Sequence, residues 1–389
     1  MHSGQLVFSQ VMAVMRHWEF QRVARRHGAD NGRLGFSAWD HFCAMAFAQL
    51  TYRESLRDIE TCLGSQESLC YHLGFSRSVK RSTLAYANEH RDWRFFAALG
   101  ERLIRRARGL YQDEPSALDL DGASYALDST MIDLSMALCP WANWTGRDAA
   151  VKMHTVLDLR AELPVFVTIS PGDRSDQSAL DDVPFEPGSY YVMDRGYIDL
   201  SRLHRLGRGG AYFVIREHAG VCLRVAQSRA VDRSGPLRCD QIIRFTGRYS
   251  RSHWPEPMRR IGIFDSVHRR HMAFWTNHWS LPALTISELY RQRWRIEIFF
   301  RWIKQNLRIR KFYGTTPNAV RVQIWSAINT YLLVAILRKE LKLTRPITEI
   351  LQILSVNAFQ QIPVASILAN PLQKEEEGSL PNQLILNLL

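Results

Sequence analysis

Apolar residues in the first third of the chain recur at the three- and four-residue spacing of amphipathic helices. This pattern predicts helices over residues 1–30, 36–50, 52–63 and 88–110, separated by glycine-rich or polar breaks. Arginines crowd these predicted helices. An all-helical, arginine-rich segment can place one helix in a DNA groove, although a charge run is also typical of a solvated helix face. We expect residues 1–117 to form a helical DNA-binding domain.

Beyond Gly122 the apolar period shortens from that of a helix to that of a strand. Short apolar or alternating runs, separated by turn residues, predict strands, and a helix is predicted over 199–206. Strands that alternate with helices indicate a mixed α/β sheet over residues 118–217. The predicted strands are residues 125–130 and 131–138 as a hairpin-like start, then 151–159, 164–170, 190–194 and 212–216.

The second half of the chain alternates between a charged β-rich stretch and apolar helices. Residues 218–284 contain four predicted strands with arginines in the loops, which indicates an insertion. Residues 285–345 are predicted to be helical. Within them Tyr290–Lys304 is predicted as one helix, whose Trp294, Ile298 and Trp302 form a stripe suited to a core. Residues 346–389 contain several prolines and an acidic run, and we expect a loosely attached tail.

Composition restricts the class of protein. The chain has 389 residues, a net charge of +12, a pI of about 9.6 and 46% hydrophobic residues, which together predict a soluble protein with a polyanionic partner. A membrane surface is the competing anion, but no window reaches the ~18 uninterrupted apolar residues of a spanning helix. The first residues lack a basic lead and a cleavage site, so we expect a cytoplasmic protein that is not exported.

Several common chemistries lack their sequence signals. The six cysteines show no CxxC spacing, which predicts reduced thiols and gives no support to a zinc site. The phosphate-binding GxxxxGK[ST], dinucleotide-binding GxGxxG and hydrolase GxSxG patterns are missing from the sequence. Nucleotide-driven motors, dinucleotide oxidoreductases and α/β-hydrolases therefore lose their usual support.

Three acids stand in positions where a carboxylate is costly to bury without a partner. Asp128 lies between apolar neighbours in a predicted strand, Asp194 ends another strand before Gly196, and Glu297 lies in the predicted helix 290–304. Each alone has an ordinary interpretation as a turn cap or half of an ion pair. Together, on a basic chain, they fit oxygen-rich coordination of Mg²⁺ or Mn²⁺ beside a phosphodiester.

The spacing around Glu297 carries a resemblance to a known family. Tyr290, Arg293, Glu297 and Lys304 resemble the Tyr-Arg-Glu-Lys signature of the insertion sequence 4 family of bacterial DDE transposases at every position. The run Asp194–Tyr197 is similar to the second-acid motif of that family, and Leu127–Thr130 to its first. The resemblance covers roughly residues 5–345.

The resemblance implies a ribonuclease H-like catalytic core interrupted by a β-rich insertion, with an all-helical N-terminal domain. Asp128, Asp194 and Glu297 would be catalytic and would hold two divalent ions, Mg²⁺ or Mn²⁺. The implied activity is metal-dependent cleavage at transposon ends, followed by transfer of the freed 3′-hydroxyl into target DNA without a nucleotide cofactor. The implied partners are double-stranded DNA, as terminal inverted repeats and as target, and a second copy of the chain in a synaptic complex.

The same resemblance also implies which residues contact DNA. Tyr290, Arg293 and Lys304 would grip phosphates near the cleaved end, with arginine as a fork and lysine as a point charge. Lys152 and His154, in a strand expected beside the first, are further phosphate-contact candidates with a structural role as the alternative. In related members an aromatic residue of the insertion stacks on a flipped base, and Trp254, Trp275 and Trp279 are available here.

Two other functions remain open at this stage. A transposase-derived repressor would bind DNA without cleaving it, although the intact acid triad argues against this. A structure-specific nuclease on the same core would hydrolyse DNA without joining it. All three describe a bacterial cytoplasmic protein that associates with the nucleoid when bound to DNA.

Overall fold

The computed structural model describes residues 5–30, 35–115, 118–143, 145–146, 148–218, 220–306 and 312–369. The helices are α1 (Val7–Met12), α2 (His17–Arg26), α3 (Ala38–Leu50), α4 (Leu56–Gly64), α5 (Arg81–His90), α6 (Trp93–Tyr111), α7 (Asp176–Ala179), α8 (Leu200–Arg208), α9 (Arg248–His253), α10 (Ala283–Gln292), α11 (Trp294–Asn306), α12 (Pro317–Glu340), α13 (Ile347–Asn357) and α14 (Val364–Leu368). The strands are β1 (Ser124–Leu134), β2 (Ala149–Asp158), β3 (Leu163–Pro171), β4 (Tyr190–Met193), β5 (Tyr212–Arg216), β6 (Leu223–Arg229), β7 (Leu237–Phe245), β8 (Met258–Asp265) and β9 (Arg270–Thr276).

The chain forms two compact units. The first consists of Met1–Arg106, Asn306–Gly314 and Asn318–Leu389, and the second of Ala107–Gln305 and Thr315–Pro317. In its described part the first unit is helical, as the apolar spacing predicts. Helix α3 begins with a capping box in which Ser37 and Asp40 exchange hydrogen bonds, which supplies partners for otherwise unpaired amides of the first turn.

The core helix of the first unit is α12, buried along most of its length. It is long and apolar enough to cross a membrane by length and composition, but 94% of its most apolar window is buried inside the protein. Helix α6 approaches it closely because Gly100 has no side chain: a Cβ there would lie 2.7 Å from the Trp325 ring. Asn329 of α12 also donates a hydrogen bond to the carbonyl of Phe96 at 2.9 Å.

The C-terminal segment differs from the predicted loose tail up to residue 369. Ile350 and Leu351 of α13 and Leu368 of α14 are fully buried. The backbone N–H of Phe8, in the first turn of α1, donates to the carbonyl of Ala358 at 3.1 Å. These contacts arise because the apolar spacing within residues 347–368 supplies a buried face, which the prolines around it obscure in the sequence. Residues 370–389 lie outside the described part.

The second unit is built on one sheet, which in the described residues has nine strands in the order β3-β2-β1-β4-β5-β9-β8-β7-β6. Strands β1, β2 and β3 pair antiparallel, whereas β4 and β5 run parallel to β1. This order confirms the expected ribonuclease H-like core. The predicted break of β1 into two strands is wrong, since a single ladder pairs Tyr125 with Asp158 and continues to the pairing of Leu134 with Ala149.

The β-rich insertion continues the core sheet rather than forming a separate one. Strand β9 pairs antiparallel with β5, and β8, β7 and β6 follow in turn. A buried ion pair stabilises this extension: the Arg259 guanidinium, 2% exposed, donates to both carboxylate oxygens of Asp240 at 2.9 and 2.8 Å. Arg259 also donates to the carbonyl of Leu281 at 2.6 Å, next to the start of α10. The insertion therefore leads directly into α10 and α11.

The helix predicted over 290–304 is two helices that meet at Arg293. Arg293 keeps helical dihedrals, but its N–H bonds the carbonyl of Tyr290 and its C=O bonds the amide of Ile296, which tightens the chain to a three-residue turn. The predicted core stripe is wrong. Trp294 and Ile298 are about half exposed, because the buried face of α11 consists of Ile296, Phe299, Phe300 and Ile303.

Candidate active site

Two of the predicted acids lie side by side at the carboxyl ends of neighbouring parallel strands. The ladder between β1 and β4 runs from Ser124 opposite Tyr190 to Leu127 opposite Met193, so Asp128 and Asp194 follow as the next positions in register. Neighbouring strands lie about 4.8 Å apart, and positions in register point to the same face. Because Leu127 and Met193 pack in the core beneath α8, the two acids point to the opposite face.

Helices α10 and α11 supply the groups that meet these acids. The Arg293 guanidinium donates to Asp128 Oδ2 at 2.7 Å and to Glu297 Oε1 at 2.5 Å. The Tyr290 hydroxyl donates to Asp194 Oδ1 at 3.4 Å, and Arg293 lies over the Tyr290 ring at 5.8 Å. The structure thus brings the three predicted acids together with the first two basic and aromatic residues of the signature.

The electrostatics of this cluster are dominated by burial. Burial raises the pKa of the Asp128 carboxyl to about 6, and Arg293 and the amide of Ser129 offset only part of that rise, to which Asp194 and Glu297 add. Burial lowers the pKa of the Arg293 guanidinium, but Asp128 and then Glu297 more than compensate, so its pKa is raised overall. The cluster therefore has more negative charge than its one bridging cation neutralises.

Lys304 and Arg301 lie further along α11. Lys304, the last residue of the signature, is partly exposed in the last full turns of the helix, and Arg301 is exposed. Glu297 lies in the first turn of α11, where the helix dipole favours a negative charge. Tyr290 and Arg293 therefore meet the acids directly, whereas Lys304 lies seven residues beyond Glu297 on α11.

Lys152 and His154 lie on the other face of the sheet, away from Arg293. Lys152 Nζ donates to the carbonyl of Arg174 at 2.8 Å and lies 3.4 Å from Asp176 Oδ1. His154 is 2% exposed, bonds Ser170 Oγ through Nε2 at 3.1 Å, and has its pKa lowered to about 4 by burial. In this arrangement both side chains belong to an internal polar network, which corresponds to the structural alternative for them.

Asp176 is the residue of that network which sequence reasoning missed. Its Oδ1 accepts a hydrogen bond at 2.7 Å from Oγ of Ser129, the residue that directly follows Asp128 in the chain. The sequence signal around it was weak: Ser175 caps the short helix α7, so Asp176 resembles an ordinary first-turn acid.

The insertion tryptophans differ in exposure. Trp275 is fully buried and Trp254 is 3% exposed, and both pack in the core of the second unit. Trp279 is 39% exposed. Of the three, Trp279 alone presents much of its ring to solvent.

The arginines at the end of α6 also divide into two groups. Arg106 forms an ion pair with Glu340 at 2.5 Å, and Arg108 pairs with Glu186 at 2.8 Å. Arg102 and Arg105 instead line a small cavity together with Arg22 and Arg26 of α2. Some burial and then the repulsion of Arg22 and Arg105 lower the pKa of Arg102. We call Arg22, Arg26, Arg102 and Arg105 the arginine cluster.

The acid cluster suits a hard divalent cation, although its present arrangement is held by Arg293. Carboxylate oxygens are the ligands that Mg²⁺ and Mn²⁺ prefer, and the pKa of Asp128 is raised mainly by burial and further by the neighbouring carboxylates Asp194 and Glu297. Among the described residues, no three acidic, histidine or cysteine side chains lie close enough together to share one metal ion. A cation can nevertheless lie between Asp128 and Glu297, because the Arg293 guanidinium does so.

A core sheet of this order, with acids after β1 and β4 and on the helix that follows the insertion, is that of a nucleic-acid phosphoryl transferase of the ribonuclease H-like class. The family comparison agrees. Residues 121–333 match the model of the transposase DDE domain, and residues 3–76 match a domain of unknown function (DUF4372). The chain belongs to the DDE transposase family and is a DNA transposase, an enzyme of DNA cleavage and strand transfer.

Relatives from three bacteria are named as transposases. A protein of Sinorhizobium fredii is 31% identical over 248 residues, which cover 63% of this chain and 69% of that protein. A protein of an insertion sequence element of Geobacillus stearothermophilus is 32% identical over 209 residues, 53% of this chain and 54% of its own length. One from an insertion sequence element of Synechocystis is 23% identical over 272 residues, 67% of this chain and 72% of its own.

Among solved structures, a piggyBac transposase synaptic complex with hairpin DNA aligns over 99% of this chain and 86% of its own. The TM-score is 0.47 and the sequence identity 11%. The family match itself confirms the resemblance seen in the Tyr-Arg-Glu-Lys signature. Transposases of this family use divalent metal ions and act on DNA.

Proposed function

We propose that Asp128, Asp194 and Glu297 are the catalytic acids of this transposase and hold two divalent ions, Mg²⁺ or Mn²⁺. The observation that carries the proposal is their convergence. Asp128 and Asp194 follow one another in register on one sheet face, and Arg293 joins Asp128 to Glu297. When bound, such ions activate a water or 3′-hydroxyl nucleophile and stabilise the leaving oxygen of a phosphodiester.

Under this proposal Arg293 pairs first with the acids of the site and later with a DNA phosphate. In the DNA-free chain it neutralises Asp128 and Glu297 as an internal counter-ion. Its planar fork also fits a phosphate, and Tyr290 lies beside it with the hydroxyl on Asp194. With divalent ions held by the three acids, the Arg293 guanidinium would be available to a phosphate near the cleaved end, together with Tyr290 and Lys304.

Lys152 and His154 act by supporting strand β2 against Asp176 rather than by contacting DNA. His154 is too deeply buried to reach a phosphate, and Lys152 already bonds the Arg174 carbonyl and Asp176. A direct phosphate contact by Lys152 remains the alternative role, because its side chain is 14% exposed.

The DNA partner is the terminal inverted repeat for cleavage and the target for strand transfer. The arginine cluster on α2 and α6 supports a contact between the first unit and the phosphate backbone, because its four cations outnumber Glu101, the one acid that lines the same cavity. Two copies of the chain form the synaptic complex, since two ends must be brought together. The protein acts in the bacterial cytoplasm and associates with the nucleoid through DNA.

The decisive experiment compares acid variants with neighbouring carboxylates that play no part in the site. Asp194→Asn and Glu297→Gln should abolish Mg²⁺-dependent cleavage of a transposon-end duplex while end binding in a gel shift is kept. Asp133→Asn, exposed on β1, and Glu288→Gln, paired with Arg291 on α10, are the matched controls and should cleave normally. Full cleavage by either acid variant contradicts the assignment.

A second assay separates a transposase from a nuclease with the same core. A pre-cut end with a free 3′-hydroxyl is incubated with plasmid target and metal. Joined product is expected from this chain. Hydrolysis of the uncut duplex without any joined product would instead indicate a structure-specific nuclease, and end binding without either product would indicate a repressor.

A further inference from the structure

The sheet has a second polar cluster beneath the acids, on the face that does not meet α10 and α11. Side chains alternate between faces along a strand, so Ser129 points away from the face of Asp128. Its cross-strand partner in the ladder is His154, which shares its face. Asp176 at the start of α7 lies against this face and accepts the Ser129 hydroxyl at 2.7 Å.

Asp176 is held by several groups at once. Lys152 Nζ lies 3.4 Å and His154 Nδ1 3.8 Å from the same carboxylate oxygen that Ser129 bonds. The Nδ1 atom of His154 is buried and has no hydrogen-bond partner in the described part of the chain, and it faces the Asp176 carboxylate at 3.8 Å. The Lys152 ammonium supplies the positive charge that keeps a carboxylate stable here.

The same carboxylate also lies beneath the turn that follows Asp194. A Cβ built on Gly196 would lie 3.6 Å from Asp176 Oδ2, so the carboxylate lies beside this turn and a side chain at position 196 would touch it. Gln177, next in α7, donates to the carbonyl of Ile198 at 3.0 Å. Helix α7 therefore bonds the chain just after the first acid and just after the second.

We propose that Asp176 is a positioning residue that sets the separation and orientation of Asp128 and Asp194 from beneath the sheet. The route on the first side is short: Ser129 Oγ donates to Asp176, and Ser129 N donates to Asp128 Oδ1 at 2.8 Å. On the second side the carboxylate lies beside the turn of Gly196, and the next residue of α7, Gln177, bonds the end of that turn through the carbonyl of Ile198. Since ion binding needs both carboxylates in a fixed relation, Asp176 controls metal affinity, an inference that rests on the proposed metal-binding role of the acids.

The test measures metal binding directly as well as cleavage. Asp176→Asn keeps the shape of the side chain and removes its charge, and Asp181→Asn removes an exposed carboxylate of the same segment that pairs with Arg202 and Arg205. Mn²⁺ binding is followed by loss of the free-ion paramagnetic resonance signal, and cleavage of an end duplex is followed against Mn²⁺ and Mg²⁺ concentration. End binding and the thermal midpoint are measured for each variant.

For Asp176→Asn we expect Mn²⁺ binding to weaken about 10- to 100-fold, with the cleavage curve displaced to higher metal concentration and end binding unchanged. Asp181→Asn should match the wild type. Ser129→Ala should weaken Mn²⁺ binding in the same direction, and Ser129→Thr, which keeps the hydroxyl, should restore it. This pair decides the matter if Asp176→Asn does not fold.

The outcomes separate this inference from the proposed function. If wild-type binding of Mn²⁺ is not lost in Asp128→Asn, the proposed acid site itself is wrong. If that binding is lost in Asp128→Asn but is unchanged in Asp176→Asn and in Ser129→Ala, then Asp176 has no positioning role. The positioning role is supported if Asp176→Asn and Ser129→Ala displace the cleavage curve to higher metal concentration and Ser129→Thr shows the wild-type curve.

Discussion

Replacing Arg293 by alanine tests whether this residue is the internal counter-ion of the acid site. The Arg293 side chain is 14% exposed, Asp128 20% and Glu297 32%. Breaking a fully buried ion pair costs about 3–5 kcal/mol and an exposed one about 0–1 kcal/mol. At this intermediate exposure, Arg293→Ala should lower the free energy of unfolding of the metal-free protein by about 1–3 kcal/mol.

The same change should strengthen metal binding. Without the guanidinium, the carboxylates of Asp128 and Glu297 keep their mutual repulsion, and a divalent ion no longer has to displace a bound cation. We expect about tenfold tighter Mg²⁺ binding, which is about 1.4 kcal/mol. For a unit of this size, saturating Mg²⁺ should then raise the thermal midpoint of Arg293→Ala about 3–6 °C more than that of the wild type.

The assay is a Mg²⁺ titration by calorimetry, paired with thermal unfolding at each concentration. Arg202→Ala is the matched control, because Arg202 also pairs with two carboxylates, Asp181 and Asp199, but lies on α8 away from the acids. Arg202→Ala should bind Mg²⁺ like the wild type. Weaker Mg²⁺ binding by Arg293→Ala would refute the counter-ion role, since it would mean that the guanidinium organises the acids for metal rather than competing with it.

Three further predictions follow from other parts of the structure. The double variant Arg102→Ala, Arg105→Ala should bind DNA more weakly, and its slope of log K against log salt should be smaller by about 1.8. The control Arg57→Ala, exposed on α4, should reduce the slope by at most half of this amount. An unchanged slope in the double variant excludes the arginine cluster from the DNA interface. Asp240→Ala leaves the buried Arg259 without its carboxylate and should lower the free energy of unfolding, measured by chemical denaturation, by about 3–5 kcal/mol. Asp265→Ala breaks more exposed pairs and should lower it by less than about 1 kcal/mol. Equal losses in the two variants would refute this reasoning. Burial lowers the pKa of His154 from 6.5 to about 4, so between these pH values the unfolded chain binds more protons and the stability of the protein rises with pH. His154→Gln should flatten this rise when unfolding is measured as a function of pH. An unaltered pH profile would contradict the prediction.

The sequence predicts the strands and helices well where periodicity is strong. The strand at 212–216 has its predicted ends, and helix α12 lies within residues 285–345, which are predicted to be helical, because a buried strand and a buried helix have unambiguous apolar patterns. Prediction fails where polar function interrupts the pattern. Strand β1 was divided because Asp128, Ser129 and Thr130 interrupt its apolar run, and these residues are polar because they face the site and its support.

The three acids of the candidate site stand out in the sequence, but their electrostatic partners do not. Asp128, Asp194 and Glu297 stand out because a charge in or beside an apolar element needs a reason. The bond from Arg293 to Asp128 joins residues 165 positions apart, and nothing in local sequence indicates it. Asp176 was missed for the same reason, since its bond to Ser129 depends on how α7 lies against the sheet.

The net charge of the acid cluster differs between the DNA-free arrangement and the proposed metal-bound one. Three carboxylates and one guanidinium leave a net formal charge of −3 + 1 = −2 in the DNA-free arrangement, where a phosphate would be repelled. Two divalent ions held by these acids would change the sum to −3 + 1 + 4 = +2, and the acids would then no longer need Arg293 as their counter-ion. Under the proposed function, the acids would therefore take up metal before phosphate, and DNA contact by Arg293 would depend on bound metal. An end duplex should accordingly protect Arg293 from guanidine-directed modification only when divalent metal is present, and protection by DNA alone would break this order.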